Sequence, residues 1–196
     1  MYEVEIAFLI DDVTLMRKKL LASKAKLNSK YNKVTIYYTP KNRKQGDLRL
    51  KIYSNKIVLM SKGGVVGDVS RKEIEQEIKD IKTTHEKILR ENDIDMIEVI
   101  KWKEEIYEKD NLRISLEPSC EGGFWKKASI EIEKVIRSKK DERDALREIK
   151  SFASKLGLKT SVTHKDVIAR EIERKKEYPK FEIPNFKELT RFVKSN

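Results

Sequence analysis

Two stretches far apart in the chain alternate between apolar and acidic positions. Residues 2–8 read YEVEIAF, and residues 129–133 read SIEIE. Because successive side chains of a β-strand point to opposite faces, each stretch is predicted to be a strand with one apolar face and one face that carries glutamates. Those glutamates are Glu3 and Glu5 in the first strand and Glu131 and Glu133 in the second. A half-buried sheet with one solvated face has the same pattern, so that interpretation stays open.

The same two-residue period predicts further strands, most of them joined by short turns. They cover residues 34–39, 48–53, 56–62, 96–107 and 112–117, with Pro40, Gly63-Gly64 and Pro118 as stop signals. Turn signals at residues 54–55 and 109–111 lie between neighbouring strands, so antiparallel pairing is expected. Seven or eight such strands fit an eight-strand barrel, which removes the sheet edges and leaves a narrow interior.

Apolar residues at helical spacing predict helices at the periphery of this barrel. The predicted helices run from Asp12 to about Asn28, from Ser70 through Ile88, from Asp141 to Leu156, from Thr163 to about Lys176, and from Asn185 to Val193. Ser70 with Glu73 has the spacing of a capping box. The predicted fold class is α+β, an eight-strand antiparallel β-barrel with peripheral helices. We expect residues 1–177 to form the barrel domain and residues 178–196 a tail with a short docked helix.

Composition and charge narrow the class of partner. The chain has 196 residues and a formal net charge of +11, which favours polyanions such as nucleic acid, nucleotides or polyphosphate. Cys120 is the single cysteine, so an intrachain disulfide is excluded. No apolar run reaches the length of a membrane span, and we expect a cytoplasmic location without membrane contact. His85, on or beside an apolar helix face, is interpreted as a packed residue.

Charged residues of both signs are predicted on one set of strand faces. Five are acidic and six basic: Glu3, Glu5, Glu117, Glu131 and Glu133, with Arg49, Lys51, Lys62, Lys101, Lys103 and Arg113. Buried charges in such number persist only if they are paired, hydrated or matched to a ligand. Glutamate oxygens are the ligands that Mg²⁺ and Mn²⁺ prefer, and arginine and lysine bind phosphate oxygens directly.

Short motifs in a fixed order make the chain resemble the CYTH superfamily, the triphosphate tunnel metalloenzymes. They are Glu3-Val4-Glu5, Tyr38-Thr39-Pro40, Leu48-Arg49-Leu50-Lys51, Leu59-Met60-Ser61-Lys62-Gly63, Lys101-Trp102-Lys103, Leu116-Glu117 and Glu131-Ile132-Glu133. The resemblance covers roughly residues 2 to 170. It implies an eight-strand barrel whose tunnel holds a triphosphate, as in class IV adenylyl cyclases and in inorganic, thiamine and RNA triphosphatases.

Roles follow from the resemblance position by position. It implies that Glu3, Glu5, Glu131, Glu133 and Glu117 bind the metal, and that Arg49, Lys51, Lys62, Lys101, Lys103 and Arg113 bind the substrate. Glu3, Glu5, Lys103 and Tyr38 are the expected catalytic residues. One departure is Ala7, because the family's opening motif usually has a lysine there that works with a tyrosine to activate water. Tyr38 is the candidate tyrosine, and core packing by Tyr37 and Tyr38 is the alternative.

The resemblance implies a Mg²⁺- or Mn²⁺-dependent triphosphatase that acts on a triphosphate-bearing RNA 5′ end, tripolyphosphate or a nucleotide. Such phosphoryl transfer needs positioning and electrostatics, so no serine or cysteine nucleophile is required. No Gly-x-x-x-x-Gly-Lys loop is present, which argues against a P-loop NTPase. Three alternatives stay open: an adenylyl cyclase, a non-catalytic binder of triphosphorylated RNA or polyphosphate, and a basic RNA-binding barrel without a tunnel. The last would stack bases on Tyr53 or Trp102, but the position of Trp102 between Lys101 and Lys103 predicts packing on the outer face.

Overall fold

The computed structural model describes residues 2–41, 47–62, 70–121, 127–159, 161–163, 166, 169–170, 173 and 184–195, without the side chains of residues 47, 62, 70–73 and 119–121. The strands in this part of the chain are β1 Tyr2–Leu9, β2 Lys26–Pro40, β3 Asp47–Ile52, β4 Ile57–Lys62, β5 Ser70–Ile78, β6 Ile94–Lys109, β7 Leu112–Glu121 and β8 Ser129–Ile136. The helices are α1 Val13–Ala22, α2 Ile81–Glu91, α3 Glu142–Lys155 and α4 Phe186–Lys194, with a short 3-10 turn at Lys139–Asp141.

The strands form a closed antiparallel barrel in the order β1-β5-β4-β3-β2-β6-β7-β8. β1 closes the ring because it pairs with β8 along its whole length and with β5 through Tyr2, Glu3 and Val4. The predicted fold class, an α+β protein with an eight-strand antiparallel barrel, is therefore confirmed. No helix in the described part of the chain is both long enough and apolar enough to cross a membrane.

The hydrophobic core lies outside the barrel wall, in two clusters. One cluster packs the apolar faces of β1, β7 and β8 against α1 and α3, with Ile6, Ile132 and Ile149 among its buried residues. The other packs β2 and β3 against α2 and α4 and includes Leu50 and Leu189. In β1, β7 and β8 the apolar face is used in this outer packing, so the opposite face carries the polar residues that line the interior. β4 and β6 also place apolar residues there, among them Met60 and Ile100.

Two predicted helices are wrong over part of their length. Residues 70–78, predicted to begin a helix, form β5, and α2 begins only after Asp80, whose carboxylate caps Thr83 N at 3.1 Å. Ile74 and Ile78 fit a strand as well as a helix, because their spacing of four residues is twice the two-residue period of a strand and close to the 3.6-residue turn of a helix. α1 likewise ends at Ala22 instead of near Asn28, and Lys24 reverses the chain with a φ of 64°.

Other sequence signals gave the right features in the described part of the chain, whereas most of the helix predicted from Thr163 to about Lys176 lies outside the described residues. Helix α3 ends before Gly157, which adopts a left-handed φ of 76° as a C-terminal stop. Thr163 and Asp166 form a reciprocal capping box, in which Thr163 N donates to the Asp166 carboxylate and Asp166 N donates to Thr163 Oγ1. Helix α4 is capped by Asn185 and packs against β2 and β3.

The predicted end of β7 is wrong, because the strand continues through Pro118, which was predicted to end it.

Candidate metal and anion site

Three glutamates converge on the inner face of the barrel where β1 meets β8. Glu3 and Glu5 come from β1, and Glu133 is the direct cross-strand partner of Glu5. One carboxylate oxygen from each of the three lies within 4.8 Å of the others. Hard oxygen donors at this mutual distance suit a Mg²⁺ or Mn²⁺ ion, and without a cation the three charges repel one another. The donor set therefore fits the divalent metal that the sequence predicted.

Glu133 links this acidic cluster to a basic residue. Arg113 of β7 is its cross-strand partner, and the guanidinium Nη1 lies 3.0 Å from the Glu133 carboxylate. Burial raises the pKa of Glu133 above its ordinary value, Arg113 opposes that rise, and the neighbouring Glu3 and Glu5 add to it. Arg113, predicted to bind substrate, thus lies at the edge of the candidate metal site.

The other two predicted metal ligands line the same interior but lie outside the three-oxygen cluster. Glu131 is half-buried, and its cross-strand partners are Ala7 on one side and Ser115 on the other. Glu117 accepts a hydrogen bond from Ser129 Oγ at 2.7 Å. Burial raises the pKa of Glu117 to about 7, although the charge of Lys33 lowers it. Glu131 lies two residues before Glu133 on β8, and Glu117 is the cross-strand partner of Ser129, so both carboxylates extend the acidic surface along β8.

Two predicted basic residues, Arg49 and Lys51, line the interior from β3. The Arg49 guanidinium lies 4.8 Å from the centre of the Tyr37 ring, which faces the interior from β2. Lys51 forms an ion pair with Glu75 of β5 at 3.2 Å. Lys62 is the last residue of β4 and pairs in register with Asp47 and Glu73, but its side chain is outside the described part of the structure.

Lys101 and Lys103 lie on the outer face of the barrel, so their predicted place in the tunnel is wrong. Lys101 Nζ lies 2.7 Å from the Glu188 carboxylate of α4. Lys103 is exposed and pairs in register with Asn32, whose side-chain amide donates to the Phe192 carbonyl of α4 at 3.1 Å. Residues 96–100 of β6 are largely apolar on both faces, so alternation alone did not indicate which face of this strand is inside.

Tyr38 is also on the outer face, where it belongs to the core. It is 1% exposed, and its hydroxyl is 2.7 Å from His85 Nδ1. The His85 ring in turn packs edge-on against Phe186 of α4. The role of Tyr38 in a catalytic dyad is therefore wrong, and core packing, the alternative, is confirmed for it. His85 is a packed residue, as the sequence predicted, whereas Tyr37 points to the interior.

Two interior residues of functional type, Lys33 and Glu104, were missed, and a third, Trp102, was predicted on the wrong face. Lys33 of β2 forms an ion pair with Glu104 of β6 at 3.0 Å, and its Nζ lies 5.5 Å from the centre of the Trp102 ring. Trp102 was predicted to pack on the outer face, and that prediction is wrong because it is the register partner of Lys33. Lys33 was missed because β2 was predicted to start at Val34, although the alternation of Tyr31 and Lys33 with Asn32 was a usable signal.

A closed barrel with an acidic cluster on one side of its interior and arginine and lysine on the other defines a tunnel suited to a metal ion and a polyanion. The chain belongs to the CYTH family, because the profile of the CYTH domain matches residues 1–165. Members of this family are triphosphatases or cyclases that bind triphosphate substrates, and its tunnel enzymes generally use divalent metals.

Solved structures share the fold at low sequence identity. The protein PH1819 from Pyrococcus horikoshii OT3 is 22% identical with a TM-score of 0.69, over 86% of this chain and 99% of that one. A candidate adenylate cyclase from Vibrio parahaemolyticus is 12% identical with a TM-score of 0.68, over 86% and 98%. A candidate adenylyl cyclase from Hippeastrum, described as having a dominant triphosphatase activity, is 15% identical with a TM-score of 0.51, over 80% and 88%. No curated protein matches the chain.

Proposed function

We propose that this protein is a divalent-metal-dependent triphosphatase that releases the terminal phosphate of a triphosphate held in the barrel. The observation that carries the proposal is the convergence of Glu3, Glu5 and Glu133 on an interior that also holds Arg49 and Arg113. A triphosphate needs both kinds of group, because its phosphate oxygens bind guanidinium and ammonium groups as well as a metal ion.

The basic residues bind and orient the phosphates. Arg113 and Arg49 present planar guanidinium groups that can hold two phosphate oxygens at once, whereas Lys51 acts as a point charge. Arg49 is further oriented by the face of the Tyr37 ring, at 4.8 Å, which limits its rotamers. Since phosphoryl transfer depends mainly on alignment and charge stabilisation, fixed cations of this kind supply much of what the reaction requires.

Glu3, Glu5 and Glu133 are the residues that would hold Mg²⁺ or Mn²⁺, with Glu117 and Glu131 close by in the same interior. When bound, such an ion neutralises charge on phosphate oxygens and makes a coordinated water more acidic. Arg113 shares Glu133 with this site and so connects phosphate binding to metal binding. Attack by water leaves no need for a covalent intermediate on the protein.

The substrate is proposed as RNA with a 5′-triphosphate end, tripolyphosphate or a nucleotide. The net charge of +11 favours a polyanion and is compatible with each of them. A cyclase is the second candidate, because the Vibrio parahaemolyticus protein with this fold is described as a candidate adenylate cyclase. The Hippeastrum protein, for which a dominant triphosphatase activity is described, supports hydrolysis as the first choice.

Product analysis tests the proposal. The purified protein is incubated with tripolyphosphate, ATP and triphosphate-ended RNA, each with Mg²⁺ or Mn²⁺, beside a Glu5→Gln variant as the inactive control. Orthophosphate released by the wild type but not by the variant is the expected result. Pyrophosphate together with cyclic AMP would instead establish a cyclase. Binding without any product would establish a non-catalytic binder, with Ala7 as one reason for lost chemistry.

A further inference from the structure

A buried ion pair between Lys33 and Glu104 joins the neighbouring strands β2 and β6 on the inner face of the barrel, separate from the Arg113–Glu133 pair. Lys33 Nζ lies 3.0 Å from Glu104 Oε2, and the two side chains are 12% and 3% exposed. Nothing in the fold requires this pair for strand pairing, since the backbones of β2 and β6 are already in register on either side of it. Replacing a buried pair by neutral side chains is often neutral for stability, so a gain in stability does not by itself explain this pair.

Glu104 is held in place from two further directions. Ser115 of β7 donates a short hydrogen bond to Glu104 Oε1, and Tyr31, its register partner on β2, donates another. Despite burial, which opposes ionisation, Lys33 and these hydroxyl groups lower the pKa of Glu104 to about 2. Glu104 is therefore a fixed anion that holds the Lys33 ammonium group at a defined place in the interior.

Lys33 also interacts with an acidic group two strands away, on β7, and with the residue beneath Arg49 on β2. Its charge lowers the pKa values of Glu117 on β7 and of Tyr37, the residue beneath Arg49, although burial raises both. Its Nζ lies over the face of Trp102, an aromatic contact that favours a cation. Lys33 thus lies between the acidic and basic sides, where a chain of phosphates would pass.

We propose that Lys33 is a phosphate-binding residue of the tunnel and that Glu104 is its resident counterion, which an entering triphosphate replaces. This inference rests on the proposed function, because it assumes that a triphosphate enters the barrel. Glu104 is a positioning residue in this scheme: it keeps Lys33 ordered and ionised in the empty tunnel and then gives up the ion pair to the phosphate. The pair also lowers affinity for weakly charged anions, which cannot compete with a carboxylate.

Tripolyphosphate binding measured by titration calorimetry in EDTA tests the inference without turnover and without metal-mediated affinity. Glu104→Gln keeps an acceptor oxygen for Ser115 but removes the competing charge, so it should bind tripolyphosphate more tightly than the wild type. In that background, Lys33→Met should weaken binding about tenfold or more, the scale of one charge-assisted hydrogen bond. The double variant leaves no unpaired buried charge, which favours folding.

The matched control is the ion pair between Lys134 of β8 and Glu148 of α3, on the outer side of the wall. Glu148→Gln, alone and with Lys134→Met, makes the same charge changes outside the tunnel and should leave affinity unchanged. Equal affinity of Glu104→Gln and of the Lys33→Met/Glu104→Gln double variant would overturn the inference. Weaker binding by Glu104→Gln than by the wild type would do so as well.

Two further outcomes are decisive. If the single variant Glu104→Gln does not fold, the double variant is compared with the wild type, and weaker binding supports the role of Lys33 whereas equal or tighter binding overturns it. If the wild type binds no tripolyphosphate in EDTA, this inference fails, because Lys33 then supplies no measurable affinity in the metal-free tunnel, whereas the metal-dependent triphosphatase is still judged by product analysis. If the wild type binds and only the Lys33 effect is missing, the proposed function stands and this inference alone is lost.

Discussion

Replacing Glu5 by glutamine should stabilise the metal-free protein while it weakens metal binding. The carboxylate oxygens of Glu5, Glu3 and Glu133 lie within 4.8 Å of one another. At that distance and an effective dielectric constant of 20, each pair of negative charges repels by about 3 kcal/mol. Arg113 offsets part of this at Glu133, and solvent screens part of it because Glu3 and Glu5 are only half-buried. We therefore expect the free energy of unfolding to rise by about 1–3 kcal/mol.

Thermal unfolding followed by circular dichroism measures this effect. In EDTA, Glu5→Gln should unfold roughly 2–12 °C above the wild type, given about 2–4 °C per kcal/mol for a protein of this size. Added Mg²⁺ or Mn²⁺ should raise the midpoint of the wild type, because an ion that binds only the folded state stabilises it. The same addition should raise the midpoint of the variant much less, and turnover should be lost.

The control is Glu86→Gln, which removes a carboxylate from an exposed helix pair with Lys82, where Nζ and Oε1 are 3.9 Å apart. Its effect should stay within about 0.5 kcal/mol, with an unchanged response to metal. A Glu5→Gln protein that is less stable than the wild type in EDTA, or that responds fully to metal, would refute the view that these three glutamates form a repulsive cluster matched to a cation.

Three further predictions follow from the same geometry. Tyr38→Phe should lower the free energy of unfolding by about 1–3 kcal/mol, because it removes the hydroxyl that is hydrogen-bonded to buried His85. The rate of phosphate release should stay normal. A variant that keeps full stability but loses turnover would contradict this prediction. Burial lowers the pKa of His85, so the neutral imidazole stabilises the fold fully above the ordinary histidine pKa of about 6.5, and the free energy of unfolding should fall as the pH drops below that value. In urea unfolding at a series of pH values, this fall should be less steep for His85→Gln than for the wild type. Parallel plots of unfolding free energy against pH for the two proteins would contradict the prediction. Arg49→Ala should weaken tripolyphosphate binding, measured by calorimetry, by about 1.5–3 kcal/mol, whereas Lys101→Ala and Lys103→Ala should leave the affinity unchanged. Weaker binding by the two lysine variants with unchanged affinity of Arg49→Ala would place the lysines inside the barrel.

Local alternation was sufficient to predict the strands that carry the acidic cluster. In residues 2–8 and 129–133 one face is wholly apolar, so the side on which Glu3, Glu5 and Glu133 lie follows from the sequence alone. The barrel itself could be predicted because short turns impose antiparallel pairing and a closed ring leaves no sheet edge. The pairing of Glu5 with Glu133 could not be predicted, since it depends on the closure of β1 against β8, two strands at opposite ends of the barrel sequence.

Where a strand is apolar on both faces, only the tertiary structure decided which side is inside. In β6 the register with β2 places Trp102 in the interior and Lys101 under α4, a helix some 85 residues later in the chain whose docking covers that outer face. Residues 70–78 fit a helix or a strand, and pairing with β4 decided for the strand. Lys33 and Glu104 belong to the interior for the same reason. Helices α2 and α4 pack against the outer face of the sheet near β2, so the charged side chains of Lys33 and Glu104 lie on the inner face.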